Sequence, residues 1–138
     1  MSEILVNKLT GTSTAGSILV TGEGNSTTTS LQQGLAKGWV NFDGTGTIAI
    51  RDSFSVSSID DDGTGLYSYN LSSAMSNANY NLNSNASRNA GTSGIDTTNR
   101  AASTTPENTS SVLLGARNMS NGAVDVEQMH GNIHGDLA

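Results

Sequence analysis

Cysteine is absent from this 138-residue chain, proline occurs once, and aromatic residues make up only 4% of it. Without Cys there is neither a disulfide framework nor a thiolate metal site. No apolar run approaches the roughly 18 residues that a membrane helix needs, and Met1-Ser2-Glu3 offers neither a basic nor a hydrophobic signal region, so no membrane insertion is expected. Cations are scarce too. Lys and Arg total 6 against 12 Asp and Glu, giving a net charge of -6. Scattered singly, they form no basic stripe for phosphate contacts, which argues against a nucleic-acid partner.

Large apolar residues are also few. Ile, Leu, Val and Phe number 27 of 138, a level at which a highly charged chain would be disordered. This chain is not highly charged. What it has instead is 20 Ser, 16 Thr, 15 Asn and 16 Gly, residues that favour turns, caps and loops. The composition points to a β-rich protein that completes a thin core by assembling with copies of itself, because a small core rarely outweighs ordering entropies of roughly 1–2 kcal/mol per residue.

Period-two patterns carry the fold expectation: an all-β, antiparallel β-sandwich or jelly-roll-like domain, expected as a trimer, with an extended N-terminal segment. Val40 and Phe42 share a face, and Asp43-Gly44-Thr45-Gly46 supplies a turn. Thr47 to Ser58 then reads as the longest core strand, with Ile48, Ile50, Phe54 and Val56 on one side and Asp52 interrupting. Asp62-Gly63-Thr64-Gly65 is a second turn, after which Tyr67, Tyr69 and Leu71 share a face. Three strands in a meander follow. Tyr80 and Leu82 mark a further strand, and Asn118 to Gly122 joins Val112-Leu113-Leu114 to Val124-Asp125-Val126 as a hairpin. Helix-permissive stretches are short, chiefly Thr29 to Lys37 and Ser72 to Asn79. Residues 84–111 hold one large apolar residue, Ile95, and the single Pro106, and are expected as a long polar loop.

Two apolar triplets, Ile4-Leu5-Val6 and Ile18-Leu19-Val20, lie in a leader rich in Gly, Ser and Thr. Such triplets suit strands that pair with another chain. Residues 1–30 are therefore expected as an attachment or interchain segment and 31–138 as the β-domain. Ile4, Leu5 and Val6 are its candidate anchor, with pairing inside the oligomer as the alternative.

The run from Leu31 to Phe54, with Ala36-Lys37-Gly38-Trp39-Val40-Asn41-Phe42, a Gly-Thr-Gly turn at residues 44–46 and Arg51-Asp52-Ser53, resembles a module of tail-fibre and other virion appendage proteins of marine bacteriophages, including cyanophages. Later matches are Gly63-Thr64-Gly65, Tyr67-Ser68-Tyr69-Asn70-Leu71 and Asn77-Ala78-Asn79-Tyr80. The resemblance covers Leu31 to Leu82 closely and the final hairpin loosely. It implies a non-enzymatic virion structural protein, and the short leader suits a short fibre, spike or knob rather than a long shaft.

Few residues suggest chemistry. Asp60-Asp61-Asp62-Gly63 offers hard oxygen ligands, but it lacks the alternate ligands and distal Glu of an EF-hand, so a solvated turn is the plainer reading. His130 and His134 share a strand face about 13 Å apart, too far to hold one ion together. On a threefold axis each could form a ring of three imidazoles, a weak metal candidate behind surface or interface histidines. No Gly-X-Ser-X-Gly elbow is present and no carboxylate pair stands out, so neither enzymatic activity nor a cofactor is expected. Phe42 and Phe54 are expected in the core and Trp39 at an interface.

The expected function is a virion structural protein, assembled in the host cytoplasm, that contributes to host attachment. Expected partners are copies of itself, other virion proteins and a host-surface glycan. The alternatives are a capsid decoration or cement protein and a carbohydrate-binding adhesin module that works through the 84–111 loop.

Overall fold

A computed structural model describes residues 3–14, 16–87, 108–118 and 120–138, together with the backbone of Ile95–Thr98. The chain forms two compact units, residues 1–35 and 36–138. The boundary expected after residue 30 therefore lies inside the first unit.

In that first unit β1 (Leu19–Thr21) pairs antiparallel with β2 (Thr28–Ser30), and a single helical turn, α1 (Leu31–Gly34), follows. Ser30 caps this turn by accepting a hydrogen bond from the Gln33 N–H at 3.5 Å. The second apolar triplet thus runs into a strand paired within its own chain, a correction to the expectation that both triplets pair elsewhere. Ile4, Leu5 and Val6 lie in irregular, exposed backbone.

The second unit is an antiparallel sandwich of two four-stranded sheets. Its strands are β3 (Gly38–Asp43), β4 (Ala49–Phe54), β5 (Val56–Gly63), β6 (Leu66–Leu71), β7 (Asn81–Ser87), β8 (Ile95–Thr98), β9 (Ser111–Asn118) and β10 (Gln128–His134). One sheet has the order β4-β3-β10-β7 and the other β5-β6-β9-β8. Val40, Phe42, Met129 and Ile133 from the first meet Tyr67, Tyr69, Leu71, Val112, Leu114 and Ala116 from the second in a shared core. The ring of Phe42 meets Tyr67 edge-to-face at 5.1 Å and 76°.

Alternation explains most of this. Tyr67, Tyr69 and Leu71 all point inward as their spacing predicts, and both Gly-Thr-Gly sequences turn hairpins. In the first hairpin Asp43 Oδ1 accepts from the Thr45 N–H at 2.9 Å, an Asx turn. At the second, Gly65 adopts φ 64° and passes so close to Ala116 and Val124 backbone that no Cβ fits.

The expected long strand from Thr47 to Ser58 is two strands in different sheets. Pairing of β3 with β4 shifts between Asn41 and Phe42, so that Asn41 faces Asp52 while Phe42 faces Ile50. The extra residue, Arg51, changes the phase of the alternation. Ser55 then turns the chain through φ 57° into β5. Phe54, expected in the core, consequently sits outside at 54% exposure. Residues 84–111 also differ from expectation: Ser84–Ser87 continue β7, and Ile95–Thr98 pair with β9. Polar composition hid this continuation of the strand expected at Leu82, because only alternate residues, Leu82, Ser84 and Ala86, face inward. Ser72 to Asn79 contains no helix; Met75 bridges to Leu137 instead.

Candidate functional site

The outward face of the sheet β4-β3-β10-β7 collects the exposed side chains that alternate with the core. Register fixes their arrangement. Phe54 lies opposite Trp39, Trp39 opposite Asn132, and Asn132 opposite Asn83, forming one row across four strands. A second row runs Asp52, Asn41, His130, Asn85. His134, opposite Asn81, continues the face beyond the first row.

The rows differ in character from end to end. Trp39 and Phe54 occupy facing positions at the β3–β4 end, 36% and 54% exposed. The β10–β7 end is made of amides and imidazoles. Asn83 Nδ2 donates to Asn132 Oδ1 at 3.4 Å, and Ser87 Oγ to Gln128 Oε1 at 3.0 Å, so cross-strand partners hold these planar groups in place. Asn41 Oδ1, in the middle of the second row, is closed off from solvent and accepts no hydrogen bond among the described residues. An unfilled acceptor of this kind costs roughly 1–3 kcal/mol.

Among the described residues of this face, formal charge lies at one margin. The Arg51 guanidinium donates to Asp43 Oδ2 at 3.0 Å. The hydroxyl and N–H of Thr45 donate to Oδ1 of the same Asp43, and these bonds, with Arg51 adding to them, hold its carboxyl below the usual range. Asp52, on the edge strand β4, is the other charge among the described residues of the face.

Of the expected site residues, Trp39, His130 and His134 come together on this face. Ile4, Leu5 and Val6 belong to the other unit. The two histidines lie on one side of β10, and among the described residues no group of three His, Cys, Asp or Glu side chains is placed to hold a metal ion. Asp60, Asp61 and Asp62 are engaged within their own sheet: Asp60 accepts from Asn70 at 2.8 Å, Asp61 from the Gly63 N–H at 3.0 Å and Asp62 from Ser68 at 2.5 Å.

Phe54, Asn132, Asn83 and Asn41 were not expected here. The signal for the amides was in the sequence, in the alternation Asn81, Asn83, Asn85 and Gln128, His130, Asn132, His134. Phe54 was hidden by the bulge. No family model, characterised protein or solved structure matches the chain.

Proposed function

We propose that this chain is a non-enzymatic structural protein of a bacteriophage particle, a short fibre, spike or knob whose β-sandwich is displayed and whose leader joins the assembly. The observation that carries this reading is the exposure of Ile4, Leu5 and Val6, at 84%, 82% and 59%, in backbone that pairs with no strand among the described residues. Three consecutive apolar side chains on an irregular segment are costly to leave in water, at about 25 cal/mol per Å² of apolar surface. Adding the segment to a sheet edge of a neighbouring chain removes that cost and satisfies its backbone. The similarity of Leu31 to Leu82 to marine-phage appendage modules supplies the particle context.

Mass spectrometry of gradient-purified virions from the source of this chain tests the proposal. Peptides from both units at a fixed ratio to the major capsid protein are expected. Their absence from particles, with the protein abundant in the infected lysate, contradicts it.

A further inference from the structure

We infer that the outward face of the sheet β4-β3-β10-β7 is a platform for a neutral oligosaccharide, with Trp39 and Phe54 as its stacking surface and Asn132, Asn83, Asn41 and His130 as its hydrogen-bonding groups. The inference does not rest on the particle role proposed above.

A pyranose ring has an apolar C–H face and a hydroxyl edge. Recognising it takes flat apolar surface beside groups that both donate and accept, which is what an aromatic ring and a primary amide provide. The register places the two kinds in one row: Phe54 and Trp39, then Asn132 and Asn83. At about 4.8 Å between strands the row spans roughly 14 Å, room for a short run of linked sugars. Asn41 lies in the adjoining row, and its Oδ1 receives no hydrogen bond among the described residues.

Charge decides against other occupants. A polyanion would meet Asp52 and find the nearby guanidinium already engaged by Asp43 at 3.0 Å. A second copy of this face would bury Asn83, Asn85, Asn132 and His130 against one another, and each amide left without a partner would cost roughly 1–3 kcal/mol. A hydroxyl-rich neutral chain supplies partners to all of them.

Trp39 is the only tryptophan, so its fluorescence reports on this face alone. The test begins with an array of neutral and acidic oligosaccharides probed with the full chain. The strongest neutral binder is then titrated against Trp39 fluorescence and by calorimetry. Binding to neutral chains is expected, weakened roughly tenfold or more by Trp39→Ala, as fits the loss of a stacked aromatic contact. Asn132→Ala and Asn83→Ala should weaken it several-fold. Trp39→Phe, which keeps a ring, should stay within a few-fold of the parent, and Ser68→Ala on the other sheet should leave binding unchanged. Failure to bind any neutral glycan, preference for acidic chains, or unchanged affinity in Trp39→Ala overturns the inference. So does a Trp39→Ala variant that changes only the oligomeric state, which would make the face a self-interface.

Discussion

Tyr67 and Tyr69 stand two residues apart on the inward face of β6, both fully buried, yet among the described residues only one finds a partner for its hydroxyl. Tyr67 Oη donates to the Gly44 carbonyl at 3.1 Å and also lies 3.3 Å from Asp125 Oδ1. Tyr69 Oη has no hydrogen bond among the described residues. The same substitution should therefore act in opposite directions. Tyr69→Phe removes an unpaired buried hydroxyl and is expected to leave stability unchanged or raise it by about 1 kcal/mol. Tyr67→Phe strands the Gly44 carbonyl and should cost about 1 kcal/mol. Urea denaturation of the two variants checks the pair, and equal losses would show that the Tyr69 hydroxyl has a partner after all.

The two tyrosines also set the alkaline limit. Burial is the main cause of their raised pKa values, with the Tyr67 hydroxyl pushed up to about 12 and Tyr69 shifted in the same direction. In the unfolded chain each titrates near 10. Because the folded values are higher, their contribution is intact below about pH 10 and is lost as pH rises through 10 towards 12. Lys37, lowered chiefly by burial, acts in the opposite sense, but only up to its ordinary value of 10.5. Thermal unfolding followed from pH 9 to pH 12 should show a steep fall above pH 10, and the Tyr67→Phe, Tyr69→Phe double variant should flatten it.

Gly65 and Gly131 hold their places for different reasons. At Gly65 a Cβ would stand 2.5 Å from the Ala116 carbonyl oxygen and 2.6 Å from the Val124 nitrogen, both backbone, and φ is already 64°. Gly65→Ala should cost more than about 3 kcal/mol. At Gly131 the nearest atoms are Tyr69 Cε1 at 3.1 Å and Leu114 Cδ1 at 3.2 Å, side chains that can yield, so Gly131→Ala should cost about 1–3 kcal/mol. Chemical denaturation of both variants tests the ranking, and a smaller loss at Gly65 would contradict it.

Ser55 marks the passage from one sheet to the other at φ 57°. A residue without a Cβ adopts that conformation freely, so Ser55→Gly should raise stability by up to about 1 kcal/mol, whereas Ser55→Val should lower it by several times that amount. A shift in thermal midpoint of opposite sign in the two variants is the expected result.

These positions also show what the sequence made legible. Strands with clean alternation, such as Leu66 to Leu71, and turns built on Asp-Gly-Thr-Gly were readable residue by residue, and with them the all-β sandwich. The sheet switch was not, because the period-two pattern, interrupted only by Asp52, runs on in the sequence through the bulge at Arg51 and the left-handed Ser55. The start of β7 was legible at Leu82, but its continuation through Ser84–Ser87 was hidden by polarity: an edge strand with one face in water needs few large apolar residues. Trp39 was assigned to an interface from its type alone, whereas its row-mates Phe54, Asn132 and Asn83 depend on pairing between strands distant in sequence.

The proposed assembly of this chain with copies of itself has its own signature. Sedimentation equilibrium of the full chain should give a trimer, and replacing Ile4, Leu5 and Val6 by Ser should keep that trimer while reducing incorporation into particles. A variant that falls apart into monomers would place the triplet inside the oligomer instead of at the junction with the virion.

The particle role is tested most directly by immunogold labelling of intact virions with antibody raised against residues 36–138. The account predicts gold at one fixed place on the outside of the particle, at a tail appendage if the chain forms a fibre or spike. Particles that carry no label, from a preparation in which the same antibody detects the protein only in the soluble fraction, would contradict it.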